Sequence, residues 1–231
     1  MKASFLLAAC TLIAAVGSQS PASAQTPPSA ADIAAYTGLL GVTQSGAHNE
    51  IRQLLVNGLD PNSRDGNGRT PYLVAAYRGD IVAMELLVKG GADPRAKDNQ
   101  NYDAITILAV ANRLAAMQAA IRLGGNPREI TSPYLGTALI AAAHLGHADV
   151  VKALIDAGAP LDHVNNLGWT ALIESIVLGD GGANHQRCLR DLLAAGANPN
   201  LADRSGVTPL KLAEGRGYGP MADMLRAKGG R

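Results

Sequence analysis

From about residue 35 to the C-terminus, apolar positions recur as pairs of short helical stripes, and the pairs themselves recur. In TALIAAAHLGHADVVKALIDAGA, residues 137–159, Leu139, Ala142 and Ala143 share one face of a first helix. Val150, Val151, Leu154 and Ile155 share one face of a second. Each helix carries a single apolar stripe, and one pair has no means of burying both. Stacking the next pair against it buries them, so the pattern predicts an array of helix pairs with a core running along its length.

The punctuation between the stripes repeats with the same period. The corners GLDPN (58–62), GADPR (91–95), GNPR (125–128), GAPLD (158–162) and GANPN (196–200) place Asp60, Asp93, Asn126, Pro160 and Asn198 at steps of 33, 33, 34 and 38. A second register, Thr70, Asp103, Thr137, Thr170 and Thr208, steps by 33, 34, 33 and 38. Gly91, Gly125, Gly158 and Gly196 follow the last apolar residues of a helix and are expected to end it in the left-handed conformation. Thr70, Thr137, Thr170 and Thr208 stand where a helix N-cap oxygen is wanted, and Pro71 and Pro209 follow at the first helical position. The recurring corner therefore reads as architecture: a helix stop, a turn and a restart.

A period of 33 with a Thr-Pro start and a Gly-Ala-Asp end resembles the ankyrin repeat. The resemblance is carried by GRTPYLVAAYRGDIVAMELLVKGGADP (68–94), GTALIAAAHLGHADVVKALIDAGAP (136–160) and GVTPLKLAEGRGYGPMADMLRAKGG (206–230). It implies an all-α solenoid of stacked helix-turn-helix units with short hairpin loops, spanning about 35–231 in about six repeats. The first and last repeats, more polar than the rest, are expected to act as caps.

The departures are specific. Repeat 3 has Asp103-Ala104 in place of Thr-Pro and Asn112 in place of the inter-helix glycine, both of which suit the same geometry. Repeat 4 has Leu135 where glycine is usual. Repeat 5 carries five extra residues around GDGGANHQ; the insertion, 179–184, is expected to form a surface loop.

Composition narrows the function. The N-terminus has Lys2, an apolar run from Phe5 to Val16, and Ala22-Ser23-Ala24 before Gln25, the layout of a secretory signal peptide over 1–24 cleaved after Ala24. Leu7-Ala8-Ala9-Cys10 also fits a lipoprotein box, although cleavage there leaves an unusually short apolar region. Residues 25–34, rich in Pro, Ser and Ala, read as a flexible linker. The expected location is periplasmic or secreted. Without Lys2 the chain carries 19 basic and 19 acidic residues, so the basic excess of a nucleic-acid binder is missing. The apolar run is too short for a membrane span. Cys188 stands alone once Cys10 is removed, and no intrachain disulfide is available.

Candidate chemistry is sparse. His144, His147 and Asp149 lie close in sequence but lack a third ligand at zinc spacing. His147 matches the histidine that opens the second helix of the repeat. His185-x-x-Cys188 aligns with His147 and Val150, which makes Cys188 a buried small hydrophobe rather than a nucleophile. GRGYG at 215–219 has no preceding strand to make it a phosphate loop. Glu85, Glu174 and Asp191 are expected on solvated faces. No catalytic set, metal or cofactor is expected.

The resemblance implies partner binding on a concave face formed by the hairpin loops and the exposed side of the first helices. The matching positions here are Asn67, Arg69, Tyr77, Arg78, Gln100, Tyr102, Tyr134, His144, Leu145, Trp169, Val177, Leu178, Arg204 and Arg216. They include the only tryptophan, together with tyrosines and arginines, the residue types that dominate interface energetics. The expectation is a monomeric, non-enzymatic protein that binds another protein. Exported ankyrin proteins of bacteria suggest stabilising a periplasmic enzyme or inhibiting a toxin; a secreted effector that binds a host protein is the alternative.

Overall fold

The computed structural model describes residues 25–231, and the expected signal peptide and lipobox lie outside the described residues. The 33-residue period becomes six antiparallel helix pairs: α2 (Gly38–Ser45) with α3 (His48–Val56), α4 (Pro71–Arg78) with α5 (Ile81–Lys89), and α6 (Ala104–Val110) with α7 (Leu114–Arg122). Then follow α8 (Ala138–His144) with α9 (Ala148–Asp156), α10 (Ala171–Val177) with α11 (Ala183–Ala194), and α12 (Pro209–Gly215) with α13 (Gly219–Ala227). A short helix, α1 (Ala30–Ala35), precedes them. First helices stack on first helices and second on second, so one continuous core runs from Leu39 to Leu225.

The inner first helices are buried almost all round: Pro71 to Ala76 in α4, Ala104 to Ala109 in α6, Ala171 to Ile176 in α10. They have neighbours on both sides, so alanine is used where backbones approach. At the ends, α2 buries only Leu39, Leu40 and Thr43, and α12 only Pro209, Leu210 and Ala213. The second helices contribute one stripe each, such as Val150, Val151 and Leu154 in α9 and Cys188, Leu189, Leu192 and Leu193 in α11.

The local signals work as their chemistry predicts. The side chains of Thr70, Asp103, Thr137, Thr170 and Thr208 each accept a hydrogen bond from the backbone N–H three residues on. At the corners, Asp60, Asp93, Asn126 and Asn198 each accept the N–H two residues on, closing Asx turns. The residue whose N–H closes the turn also ties adjacent repeats: Asn62, Arg95, Arg128 and Asn200 donate through their side chains to the carbonyls of Gly91, Gly124, Gly158 and Gly229. Repeats 1, 2, 3 and 5 thereby cap the helix end of their successors, and between repeats 4 and 5 Asp162 instead accepts the Asn198 N–H.

Two expectations are corrected. In repeat 3 the left-handed stop is Gly124, at φ 108°, not Gly125. Gly125 occupies the site of Ala92 and Ala159, and a Cβ there would meet Ala120 O and Ile105 Cδ1 at 2.9 Å. The segment 25–34 is not simply a flexible linker, because α1 forms within it behind a Ser29/Asp32 capping box and docks on repeat 2. Asn112 takes the left-handed turn at φ 54°, and so does Leu135 at φ 53°.

The insertion in repeat 5 is clamped. Asp180 accepts the Gly182 N–H, and the Tyr218 hydroxyl donates to Gly179 O at 3.0 Å. The Tyr218 ring lies directly over Gly181. This repeats a device seen at other inter-helix turns: His147 Nδ1 bonds Ala109 O at 2.9 Å and His185 Nε2 bonds His144 O at 2.9 Å. The aligned His147 and His185 thus each reach a carbonyl near the end of the first helix in the preceding repeat, through different ring nitrogens.

Candidate functional site

The loops between repeats project as a row of fingers, each taking the number of the repeat it opens: 64–69 (second), 97–102 (third), 131–136 (fourth), 164–169 (fifth) and 202–207 (sixth). Each is closed from within by one side chain. Asp65, Asp98, Asn165 and Asp203 each accept the N–H groups two and four residues on, at 2.8 to 3.0 Å. In repeat 4 Ser132 does the same work at 3.3 and 3.4 Å. Neighbouring fingers are tied by Asn99 N to Asn67 O, Ser132 N to Asn101 O and Asn166 N to Tyr134 O. Arg64 donates to Lys97 O and Lys97 to Ile130 O, extending the ladder. The row is therefore a rigid comb on which side chains are held at fixed spacing.

The expected binding residues divide into four sets. Asn67, Gln100, Tyr134, Trp169 and Arg204 stand on the fingers, with Trp169 half-buried and the others exposed. Arg78, Leu145, Leu178 and Arg216 stand at the far ends of the first helices, about 10 Å away at 1.5 Å per residue. Arg78 there donates to Gln44 O of the preceding repeat. Tyr77, His144 and Val177 lie at the last positions of the same helices and are half-buried.

Two members of the set do not reach the surface. Tyr102 is 4% exposed and Arg69 is 3% exposed. Burial pushes the Tyr102 hydroxyl up to about 12. The Arg69 guanidinium lies 5.9 Å from the centre of the Tyr77 ring and bonds Asp65 at 3.2 Å, Asp32 at 3.1 Å and Thr26 O at 2.9 Å. Tyr36, whose hydroxyl is raised to about 12 by burial and by its bond to Asp65, closes the same cluster.

The histidines are spent on structure. His144 Nδ1 meets Glu174 at 2.7 Å, His147 turns away to Ala109 O, and His185 lies between Asp180 and His144 O. Glu174, expected on a solvated face, is 4% exposed and held by His144 and Asn165. Cys188 is fully buried, and burial raises its thiol to about 12, which removes it as a nucleophile at neutral pH. Among the described residues no group of three or more His, Cys, Asp or Glu side chains is placed to hold a metal ion. No described helix is long and apolar enough to cross a membrane.

Of the exposed apolar side chains around the comb, position-by-position matching found Tyr134 and missed Ile130, Leu135, Val164 and Leu167. Ile130 just before the fourth finger, Tyr134 and Leu135 on it, and Val164 and Leu167 on the fifth all face solvent, Leu135 with 53% of its surface. Repeats 2 and 3 have Gly66-Asn67-Gly68 and Asn99-Gln100-Asn101 at the tip, so Pro133-Tyr134-Leu135 and Asn166-Leu167 were a visible signal in the sequence. His163 donates to Leu135 O and the Asn166 amide to Pro133 O, locking the two apolar fingers together.

The family profile described as ankyrin repeats (3 copies) matches residues 39–128 and 107–203. Ankyrin repeat protein YahD of Escherichia coli (strain K12) is 42% identical over 95 residues, which cover 41% of this chain and 47% of YahD. The chain thus matches about half the length of that relative. An ankyrin repeat domain from Acinetobacter baumannii AYE superposes with a TM-score of 0.80 at 39% identity, covering 84% of this chain and 98% of that one. The ankyrin repeat protein EF0377 gives 0.77 at 26% identity, covering 83% and 98%. With its six stacked helix pairs and finger comb, the chain belongs to the ankyrin-repeat family.

Proposed function

We propose that this protein is an exported, non-enzymatic binding protein that holds a partner protein against its finger comb, centred on repeats 4 and 5. Ankyrin repeats are general protein-interaction modules, and the observation that carries the more specific reading is the apolar tip of two locked fingers. Ile130, Tyr134, Leu135, Val164 and Leu167 are exposed together, and Leu135 is kept in a left-handed backbone conformation that a leucine adopts only at a cost. An apolar patch on a rigid scaffold is what a partner covers, and Trp169 and Arg204 beside it add the residue types that anchor interfaces.

The periplasm is the proposed compartment, supported by the N-terminal sequence, and a periplasmic enzyme or toxin is the class of partner that fits it. The test has two parts. Cell fractionation is expected to place the chain, shortened after Ala24, in the periplasm; recovery in the cytoplasm with residues 1–24 retained would refute export. A partner captured from periplasmic extract is expected to be lost with Tyr134→Ala/Leu135→Asn/Leu167→Ala. Retention by a folded triple variant would move the interface away from these fingers.

A further inference from the structure

At the other end of the comb, the second finger is already occupied by the chain itself. Asp32 of α1 bonds Arg69 at 3.1 Å and the Asn67 amide at 3.2 Å; Thr26 O accepts from Arg69 at 2.9 Å; Tyr36 donates to Asp65 at 2.7 Å. We propose that Asp65, Asn67 and Arg69 form a receptor for a carboxylate-bearing polypeptide segment, and that residues 25–36 fill it in cis as a releasable strap.

Three observations support this. First, the strap is lightly anchored: α1 buries none of its six residues, Ile33 keeps 40% of its surface exposed, and the Asp32, Thr26 and Tyr36 anchors to the finger are hydrogen bonds. A helix of this length has no stability of its own, so it persists only while its contacts do. Second, the strap arrives prepared: Ser29 N–H bonds Asp32 at 2.8 Å and Asp32 N–H bonds the Ser29 hydroxyl at 3.1 Å. The Ser29 groups, with Arg69, hold the Asp32 carboxyl below the usual aspartate value. The receptor therefore faces a fixed carboxylate and a main-chain carbonyl, the two acceptors an arginine fork takes best.

Third, the fit is incomplete. Arg69 Nε and the Tyr77 hydroxyl are buried without a hydrogen-bond partner. Buried donors left unpaired are costly, so an incoming segment that offers one more acceptor displaces the strap with a net gain. Arg69 is the cation of the site, and Asp65 on its inner side keeps it oriented when the strap leaves. The proposal concerns repeat 2 and is independent of what covers the apolar fingers of repeats 4 and 5.

The probe is a synthetic peptide of residues 25–36, QTPPSAADIAAY, titrated into the isotope-labelled full-length chain and followed by the amide shifts of Asp65, Asn67 and Arg69. An Asp32→Ala chain, whose own strap is weakened, is expected to bind the peptide about five-fold or more tightly than wild type, where the tethered copy competes. A peptide carrying Asp32→Asn is expected to lose that binding. Equal shifts in both chains, or none in the Asp32→Ala chain, would overturn the receptor. Hydrogen exchange on the unmodified chain supplies a reading that needs no variant. Amides of 33–36 are expected to exchange about a hundred-fold faster than those of α4; equal protection would make 25–36 a permanent part of the fold.

Discussion

His144 and Glu174 meet at 2.7 Å, Nδ1 to Oε2, across the seam between repeats 4 and 5, and Asn165 closes on the other carboxylate oxygen at 2.8 Å. One buried acid thereby ties a first helix to its successor and to the base of the fifth finger. Glu174→Ala leaves the Asn165 amide and the His144 ring without their acceptor. The expected loss is about 2–4 kcal/mol in urea unfolding, with Glu174→Gln, which keeps one acceptor, losing about half as much.

Leu135 separates stability from binding. The left-handed conformation costs a leucine about 1–2 kcal/mol, and asparagine, as Asn101 and Asn112 show, accepts it more readily. Leu135→Asn is expected to raise unfolding stability by about 0.5–1 kcal/mol while weakening capture of the partner. A variant less stable than wild type would show that Leu135 contributes packing beyond its exposed position.

Asp103 occupies the N-cap held by threonine in repeats 2, 4, 5 and 6. Burial pushes its carboxyl above the ordinary aspartate value of 3.8, against the opposing pull of the Thr106 N–H, with Lys97 and Glu129 the nearby charges. Because the folded value is raised, the protonated form is the one folding favours. Stability from this group is present at low pH and lost as pH rises through the raised value. Asp103→Thr keeps the cap and removes the buried charge, so a gain of about 1 kcal/mol is expected near pH 7. The gain should shrink as pH falls below the raised value, and thermal melts across that range read it directly.

Gly181 lies under Tyr218 with φ 69°, and an added Cβ would sit 2.5 Å from the ring. Gly181→Ala is expected to cost about 1–3 kcal/mol by pushing the ring away and straining the loop. The clamp on the last repeat should loosen with it, read as faster hydrogen exchange in α13 than in α9. Uniform exchange in the two helices would show that the last repeat is held by its apolar stripe alone.

What the sequence determined by itself was the repeat: its period, its helix pairs, its N-caps and, in three of four cases, the glycine that ends the second helix. These are local instructions. A threonine cap reaches its N–H three residues on, an Asx turn closes within two, and an apolar stripe spans two turns of helix, so chain order carries them all. Even the unusual residues Asn112 and Leu135 were legible, because the recurring frame had already assigned them a left-handed turn. Tertiary structure decided which side chains of the comb remain available. Arg69 is covered by Asp32, 37 residues earlier, Glu174 is buried against His144, 30 residues earlier, and Gly179 is held by Tyr218, 39 residues later. Each of these pairs joins one repeat to the next or to the strap ahead of it, and such contacts exist only once the helices have stacked. The frame repeats along the chain, whereas the fit between neighbours is particular to each seam.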